Sequence, residues 1–388
     1  MKLGQTVKLY PNQKQIKYFE ENFNYTRYLY NKGLTEWKNM YNRYKFTKNI
    51  KDKPSQYNIR NFLRYSKEEW ENGLSNSSFD TVSEDLSHAF TMFFKKISDY
   101  PKFKKKKSNK KPSFRIQRKN NYSIQILNDT YLKIFLIDKI KMSNKIRYNG
   151  IIKSVTIYRK AGSYYASFII DIDDGNLKTY YKPLIKSNQS YSGVDLGIKT
   201  LAVISDSNNE IFECESIIKS KLVPIEKKII FYNKVLSRKI KGSNKYKVTI
   251  TKLQKLYLRK HNLIQNTIHD LTHFLCTNYR YITIEDLKSS NMIKNRHLSK
   301  QIADSCFYEF RRQLEYKSQL YENEIIMADR WFPSSQICSN CGNVLVKENK
   351  LKLSDRTYKC KCCGHVIDRD ENAAINLRLY GERYKAKL

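Results

Sequence analysis

Apolar and polar residues alternate over residues 2–9, and this period of two predicts a short strand, closed by Pro11 and Asn12. Over 13–37 the apolar positions move to helical spacing. Helices are predicted again at 59–65 and 83–97, where Leu86, Phe90, Phe93 and Phe94 recur on one face. From 113 to 174 the pattern breaks into short β-rich runs at 131–137, 153–158 and 164–172, of the kind that build a small barrel or sheet. Residues 175–190 are polar and read as a linker. The remainder is mixed α/β. Residues 193–205 alternate as one strand with a hairpin partner at 210–217, and two long helices follow at 222–238 and 252–278. In the second, Tyr257, Ile264, Ile268, Leu271 and Leu275 mark one helical face. A strand at 281–287, a helix at 299–321, a strand at 324–332 and a last helix at 371–379 complete the pattern, with no repeat of fixed period.

Charge adds a partner to this picture. The chain has 388 residues, enough for two or three domains, with 73 Lys and Arg against 37 Asp and Glu, a net +36. Such an excess repels itself in a compact state unless a polyanion neutralises it, which points to nucleic acid. Two segments concentrate it: 91–120 holds twelve cations and one acid, and 221–260 holds thirteen cations and one acid. The centre of the first, between Pro101 and Pro112, reads as a phosphate-binding loop. Lys104, Lys105, Lys106, Lys107, Lys110, Lys111 and Arg115 are its candidate contacts. No stretch approaches the roughly 18 apolar residues of a membrane span. The first ten residues have no signal-like apolar run, so a cytoplasmic protein without membrane contact is expected.

Five of the eight cysteines fall between Cys338 and Cys363. Cys338-Ser-Asn-Cys341-Gly and Cys360-Lys-Cys-Cys363-Gly are two C-x-x-C turns, each followed by a glycine, and eighteen residues separate them. This spacing fits a zinc ribbon, in which four thiolates close a tetrahedral structural site and leave no position for catalysis. Cys362 could replace Cys360 or Cys363, although the matching form of the two turns argues against it. Cys214, Cys276 and Cys306 are isolated and expected to be buried.

The acids are dispersed. Asp195 lies in Gly193-Val-Asp-Leu-Gly-Ile198, Glu285 ends the apolar run Tyr281-Ile-Thr-Ile-Glu, and Asp370 precedes the last helix. Singly, these read as a turn residue, a solvent-facing acid and a helix N-cap. Together, at the ends of core elements of a strongly basic chain, they can hold divalent cations. Two such cations about 4 Å apart clamp the attacking and leaving oxygens of a phosphodiester. Asp368 could share a face with Asp370. Asp286 points away from the face of Glu285, so Glu285 is preferred. No phosphate-binding glycine loop and no nucleophile elbow occurs. His269 and His273 lack the Glu of a zinc-protease helix, and His365 reads as a neighbour of the cysteines.

The succession of Gly-Val-Asp195-Leu-Gly-Ile-Lys, Ile-Glu285-Asp-Leu, the two C-x-x-C turns and Asp-Arg-Asp370-Glu-Asn-Ala-Ala resembles the split RuvC nuclease domain of the TnpB family. These proteins are transposon-encoded and related to type V CRISPR effectors. Trp331-Phe-Pro-Ser-Ser-Gln-Ile-Cys-Ser-Asn-Cys-Gly342 resembles that family's entry into its ribbon. The resemblance covers 191 to about 381, and the N-terminal half matches only in layout. It implies a β-barrel (wedge-like) domain at 1–12 and 98–180 and a helical recognition insertion at 13–97. It implies an RNase-H-like (RuvC) domain at 191–334 and 367–388, with a zinc ribbon inserted at 335–366. Asp195, Glu285 and Asp370 match the family's catalytic residues, which would hold two Mg2+ ions. Cys338, Cys341, Cys360 and Cys363 match its ligands for one Zn2+. A guide noncoding RNA and a target DNA are the implied partners of a monomer in the bacterial cytoplasm, and the DNA would be cut beside a short flanking motif. A small type V CRISPR effector, a non-cutting RNA-guided repressor and an acidic-triad DNA transposase remain as alternatives.

Overall fold

Strand β1 (Lys2–Tyr10) buries Val7 and Leu9 and exposes Lys2, Thr6 and Tyr10, as its alternation requires. The structure is a computed structural model that describes residues 1–106, 111–120, 122–135, 137–181, 190–197, 200–214, 217–286, 307–346, 349–352 and 354–387. The chain divides into two compact units, Met1–Leu177 and Lys178–Leu388.

In the first unit, helix α1 (Gln13–Thr47) starts at Asn12, whose side chain accepts from the Gln15 N–H while the Gln15 side chain accepts from the Asn12 N–H. α1 runs ten residues beyond the expected Trp37: its last turns are largely polar and carry no apolar periodicity that would mark them as helix in the sequence. Its first half lays Phe19 and Phe23 on a sheet. Its second half packs Leu29, Leu34 and Trp37 against helices α2 (Gln56–Tyr65) and α3 (Ser77–Phe94). Trp37 and Phe90 stack with ring centres 4.5 Å apart.

The sheet adds β2 (Ser113–Gln117), β3 (Ile124–Leu127), β4 (Tyr131–Ile134), β5 (Ile137–Met142), β6 (Ile151–Lys160) and β7 (Ser163–Asp171). Their order is β2-β6-β7-β1-β5-β4-β3, antiparallel throughout. The expected barrel is therefore an open sheet: among the described residues no ladder joins β2 to β3. Phe19 and Phe23 of α1 pack against Phe114 and Tyr164, so a helix closes this core in place of a strand pairing. Part of the expected linker is a short helix, α4 (Asp174–Tyr180).

The second unit is built on β8 (Tyr191–Asp195), β9 (Ala202–Asp206), β10 (Ile211–Cys214), helices α5 (Ile217–Ser237) and α6 (Asn244–Asn278), β11 (Tyr281–Glu285), α7 (Phe307–Tyr321) and β12 (Glu324–Ala328). β13 (Thr357–Lys359) and β14 (Val366–Asp368) form a small hairpin, and α8 (Arg369–Lys385) follows. The single strand expected over 193–205 is two antiparallel strands, β8 and β9, because the chain reverses between them. There the Gly197 N–H donates to the Leu201 carbonyl. The main sheet has the order β10-β9-β8-β11-β12; β11 runs parallel to β8 and to β12. Val194, Ile282 and Ile284 are buried at its centre, and α8 lies across β8, β9 and β11. No helix among the described residues is long and apolar enough to cross a membrane.

Candidate active site and metal centre

The parallel register of β8 and β11 sets Val194 beside Ile284, so the next residues, Asp195 and Glu285, end two adjacent strands at the same level. Carboxyl ends of parallel strands are where such sheets present ligand-binding groups. α8 supplies the third acid. It reaches the sheet closely because two glycines give way. A Cβ on Gly193 would lie 2.1 Å from the Ala374 carbonyl oxygen, and one on Gly381 would lie 2.1 Å from the Thr283 hydroxyl. The helix begins at Arg369, so Asp368, rather than Asp370, is its N-cap. The Asp368 carboxylate accepts from the Asp370 N–H at 2.8 Å and the Glu371 N–H at 3.3 Å. Asp370 sits in the first turn, where the helix dipole favours a negative charge.

The charges of the other acids bear on Asp195. Burial holds the Asp195 carboxyl well above the ordinary carboxylate range, and the charges of Glu285, Asp370 and Asp368 push it further, with Arg369 opposing. Burial also raises the Glu285 carboxyl, against a hydrogen bond from the Ser334 hydroxyl. Asp286 turns to the Arg311 guanidinium at 2.9 Å, as its place on the opposite face requires. Three carboxylates from three elements are hard oxygen donors, and their mutual repulsion is what a divalent cation relieves. As they stand, Asp370 is engaged by Arg369 and Arg356, at 3.0 and 3.4 Å, and the acids are not drawn to ligating distance of one another.

The thiols are. Among the described residues, Cys338, Cys341, Cys360 and Cys363 form the one group of three or more metal-ligand side chains that could hold an ion, with all four sulfurs within 4.8 Å. The Sγ atoms of Cys338 and Cys363 are 3.7 Å apart and those of Cys341 and Cys360 are 3.6 Å apart. Four sulfurs tetrahedrally placed at about 2.3 Å from a zinc ion lie about 3.8 Å from each other, so the quartet fits that ion. Both turns have the same build. The Gly342 N–H donates to the Cys338 carbonyl and the Gly364 N–H to the Cys360 carbonyl, with φ of +76° and +73° that only glycine adopts without strain. The His365 N–H, helped by the Asn340 side chain, brings the Cys363 thiol down to about 6. Cys362 is exposed and outside the quartet, and His365 contributes backbone only.

Two buried asparagines tie this ribbon to α8. Asn372 accepts from the Ser339 N–H and donates to the Ile337 carbonyl; Asn376 donates to the carbonyls of Ile337 and Ser334. Sequence reasoning passed over both. Their signal was available: two amides four residues apart on a helix face, flanked by Ala373 and Ala374. It also passed over Ser334, Arg356 and Arg369. His269 and His273 pack between α6 and α7 beside Gln313 and Tyr321. Cys276 is buried, Cys214 is half-buried, and Cys306 lies outside the described residues.

The candidate phosphate contacts divide. Lys105 and Lys106 are exposed, while Lys107 and Lys110 lie outside the described residues. The Lys104 ammonium sits 3.7 Å from the Tyr30 ring centre, and its backbone pairs with the Asn31 amide. Lys111 lies over the Tyr158 ring at 3.1 Å, and burial lowers its pKa. Arg115 pairs with Glu84 at 3.0 Å and Asp85 at 3.1 Å, so it fastens β2 to α3.

Three family models match this chain: one described as "Probable transposase" over 182–296, a Cas12f1-like TNB domain over 307–377, and a helix-turn-helix domain over 1–45. Over 1–45 the structure has one strand and one unbroken helix. "Putative RNA-guided DNA endonuclease InsQ" of Escherichia coli strain K12 is 29% identical over 333 residues, which are 81% of this chain and 77% of that protein. A like-named protein of Streptomyces pristinaespiralis is 27% identical, covering 96% of this chain and 88% of that one. The cryo-EM structure of a Cas12f1–sgRNA–target DNA complex matches with a TM-score of 0.37 and 15% identity, covering 97% of this chain and 99% of that one.

Proposed function

The chain belongs to the TnpB family, and from that premise we propose that it is an RNA-guided DNA endonuclease. It would cut by metal-dependent phosphodiester hydrolysis at Asp195, Glu285 and Asp370. One observation carries the site: two acids end adjacent parallel strands, and the first helical turn of α8 brings a third whose charge is felt at Asp195. The strand order, with three antiparallel strands followed by two parallel ones, supports an RNase-H-like (RuvC) reading of 191–334 and 367–388 with a ribbon inserted at 335–366. In the first unit, 13–97 would be the recognition helices, and 1–12 with 98–180 the wedge-like part.

Mg2+ bound at the acids would supply a deprotonated water and neutralise charge building on the scissile phosphate. The chain's own residues prepare for this. Ser334 orients the Glu285 carboxylate through its hydroxyl. Asp368 caps α8 and so fixes where Asp370 stands. The four thiolates would hold Zn2+ as a closed structural ion, and Asn372 and Asn376 pass that rigidity to α8. The products would be a 3′-hydroxyl and a 5′-phosphate. Pairing with a guide RNA would read the sequence, and lysine-rich surfaces, Lys105 and Lys106 among them, would hold the backbone.

The test is cleavage by the purified protein with its co-purifying RNA. Asp195→Ala should lose cutting and keep RNA and DNA binding. Wild-type cutting by that variant would dismiss the acidic centre. The three intact acids favour this reading over a non-cutting repressor.

A further inference from the structure

The acidic centre already has a cation beside it. The Arg369 guanidinium donates to Asp370 Oδ1 through Nε at 3.1 Å and Nη2 at 3.0 Å, and Arg356 Nη1 reaches Oδ2 at 3.4 Å. Both oxygens that could ligate an ion are therefore engaged. The pair is not a loose surface contact: the Arg369 and Asp370 side chains are 16% and 21% exposed. Two charge-assisted hydrogen bonds converging on one carboxylate oxygen are strong, and in a partly buried pair they are poorly screened. The Arg369 charge is also felt at Asp195, where it opposes the three other acids. Arg369 is anchored from the ribbon side. Its N–H donates to the Arg356 carbonyl at 2.7 Å, and Nη1 approaches the Lys352 carbonyl at 3.5 Å.

We infer that Arg369 is a built-in counter-ion of the acidic centre, competing with a divalent cation for the Asp370 carboxylate and so setting the centre's cation affinity. A carboxylate oxygen whose lone pairs are turned to a guanidinium must give up those bonds to ligate a metal. The energy of the pair is subtracted from the binding of the ion. The Lys352 and Arg356 carbonyls offer the released guanidinium acceptors nearby, so the segment before β13 is the element through which the ribbon can tune this exchange. The inference rests on Asp195, Glu285 and Asp370 forming a cation site, and the experiment separates the two claims.

Calcium is titrated by calorimetry into the zinc-loaded full chain, and manganese binding is followed in parallel by electron paramagnetic resonance. Wild type is compared with Arg369→Ala, Arg369→Gln, Arg369→Lys and Asp195→Asn. Loss of these charge-assisted bonds should tighten both dissociation constants about tenfold in Arg369→Ala. Arg369→Gln, which keeps an amide donor for the Lys352 carbonyl, should show the same direction if the alanine variant fails to fold. Arg369→Lys should fall between, because an ammonium lacks the planar fork. Weaker or unchanged binding in the Ala and Gln variants, with binding still abolished by Asp195→Asn, would overturn the inference: Arg369 would then hold Asp370 in place. Full binding by Asp195→Asn would overturn the cation site itself, and the inference with it.

Discussion

The backbone of α8 packs directly on Gly193, and Gly193→Ala gives the cost of separating them a number. The new Cβ would lie 2.1 Å from the Ala374 carbonyl oxygen, 2.2 Å from the Arg378 nitrogen and 2.9 Å from the Arg378 Cα. All three are backbone atoms of α8, so no side-chain rotation clears them. Carbon–oxygen contacts settle near 3.3 Å, so α8 must retreat by about 1.2 Å. Ala373, Ala374 and Leu377, at 2%, 0% and 0% exposure, ride on the retreating face. A gap of this width forfeits about half or more of their dispersion attraction. The cost reaches the top of the overpacking range, about 3 kcal/mol. For a unit of this size that lowers the melting temperature by about 6–12 °C. Calorimetry on the purified protein measures it. Gly4→Ala is the control, because its Cβ would meet nothing nearer than the Phe168 carbonyl oxygen at 3.9 Å. Cation binding should weaken with the melting temperature, since Asp370 is one turn from Ala374. A Gly193→Ala protein that melts within about 1 °C of wild type would refute the close-approach argument.

Two further outcomes follow from the site. Cys363→Ser should cost the protein its zinc and open the ribbon to proteolysis while sparing the sheet of the first unit; Cys362→Ser should do neither, and zinc content by mass spectrometry decides between them. Asp195 makes stability depend on pH: its carboxyl is raised, so the folded chain binds a proton that the unfolded chain releases above about 3.8, and stability falls as pH climbs from there through the raised value. Asp195→Asn should therefore melt higher than wild type at about pH 7.5, with the difference fading towards about pH 4. A gap that stays constant over this range would contradict the assigned cause.

The sequence was most legible where chemistry constrains it tightly. The C-x-x-C turns with their glycines pointed to the quartet and argued against Cys362, which the structure leaves outside it. The apolar run ending in Glu285 placed that acid at a strand end, whereas Asp195 read as lying within a longer strand and ends β8 only in the structure. Other features depend on contacts that composition does not encode. The reversal between β8 and β9 was missed because the residues on both sides alternate alike, and Gly197 was the one sign of a turn. α8 outran its expected end at Leu379 because its last turns are rich in Tyr, Arg and Lys and look like loop. Asp368 and Asp370 are interchangeable in sequence, and only the backbone N–H groups show which one caps. Arg115 read as a phosphate contact until Glu84 and Asp85 supplied its partners. The barrel came from the family resemblance; the short β-rich runs read equally as a barrel or a sheet, because a strand pattern says nothing about whether the end strands meet.

The acidic centre draws on residues 195, 285 and 370, and α8 is the last element of the described chain. During synthesis two of the acids leave the ribosome long before the third. The strands and helices of the first unit, whose pairings are all internal, can form while the centre is still incomplete. A frameshift or stop codon between the end of the first unit and α8 therefore removes the third acid and leaves the first unit's own sequence intact. Truncation would leave the cell a basic protein with no complete acidic centre.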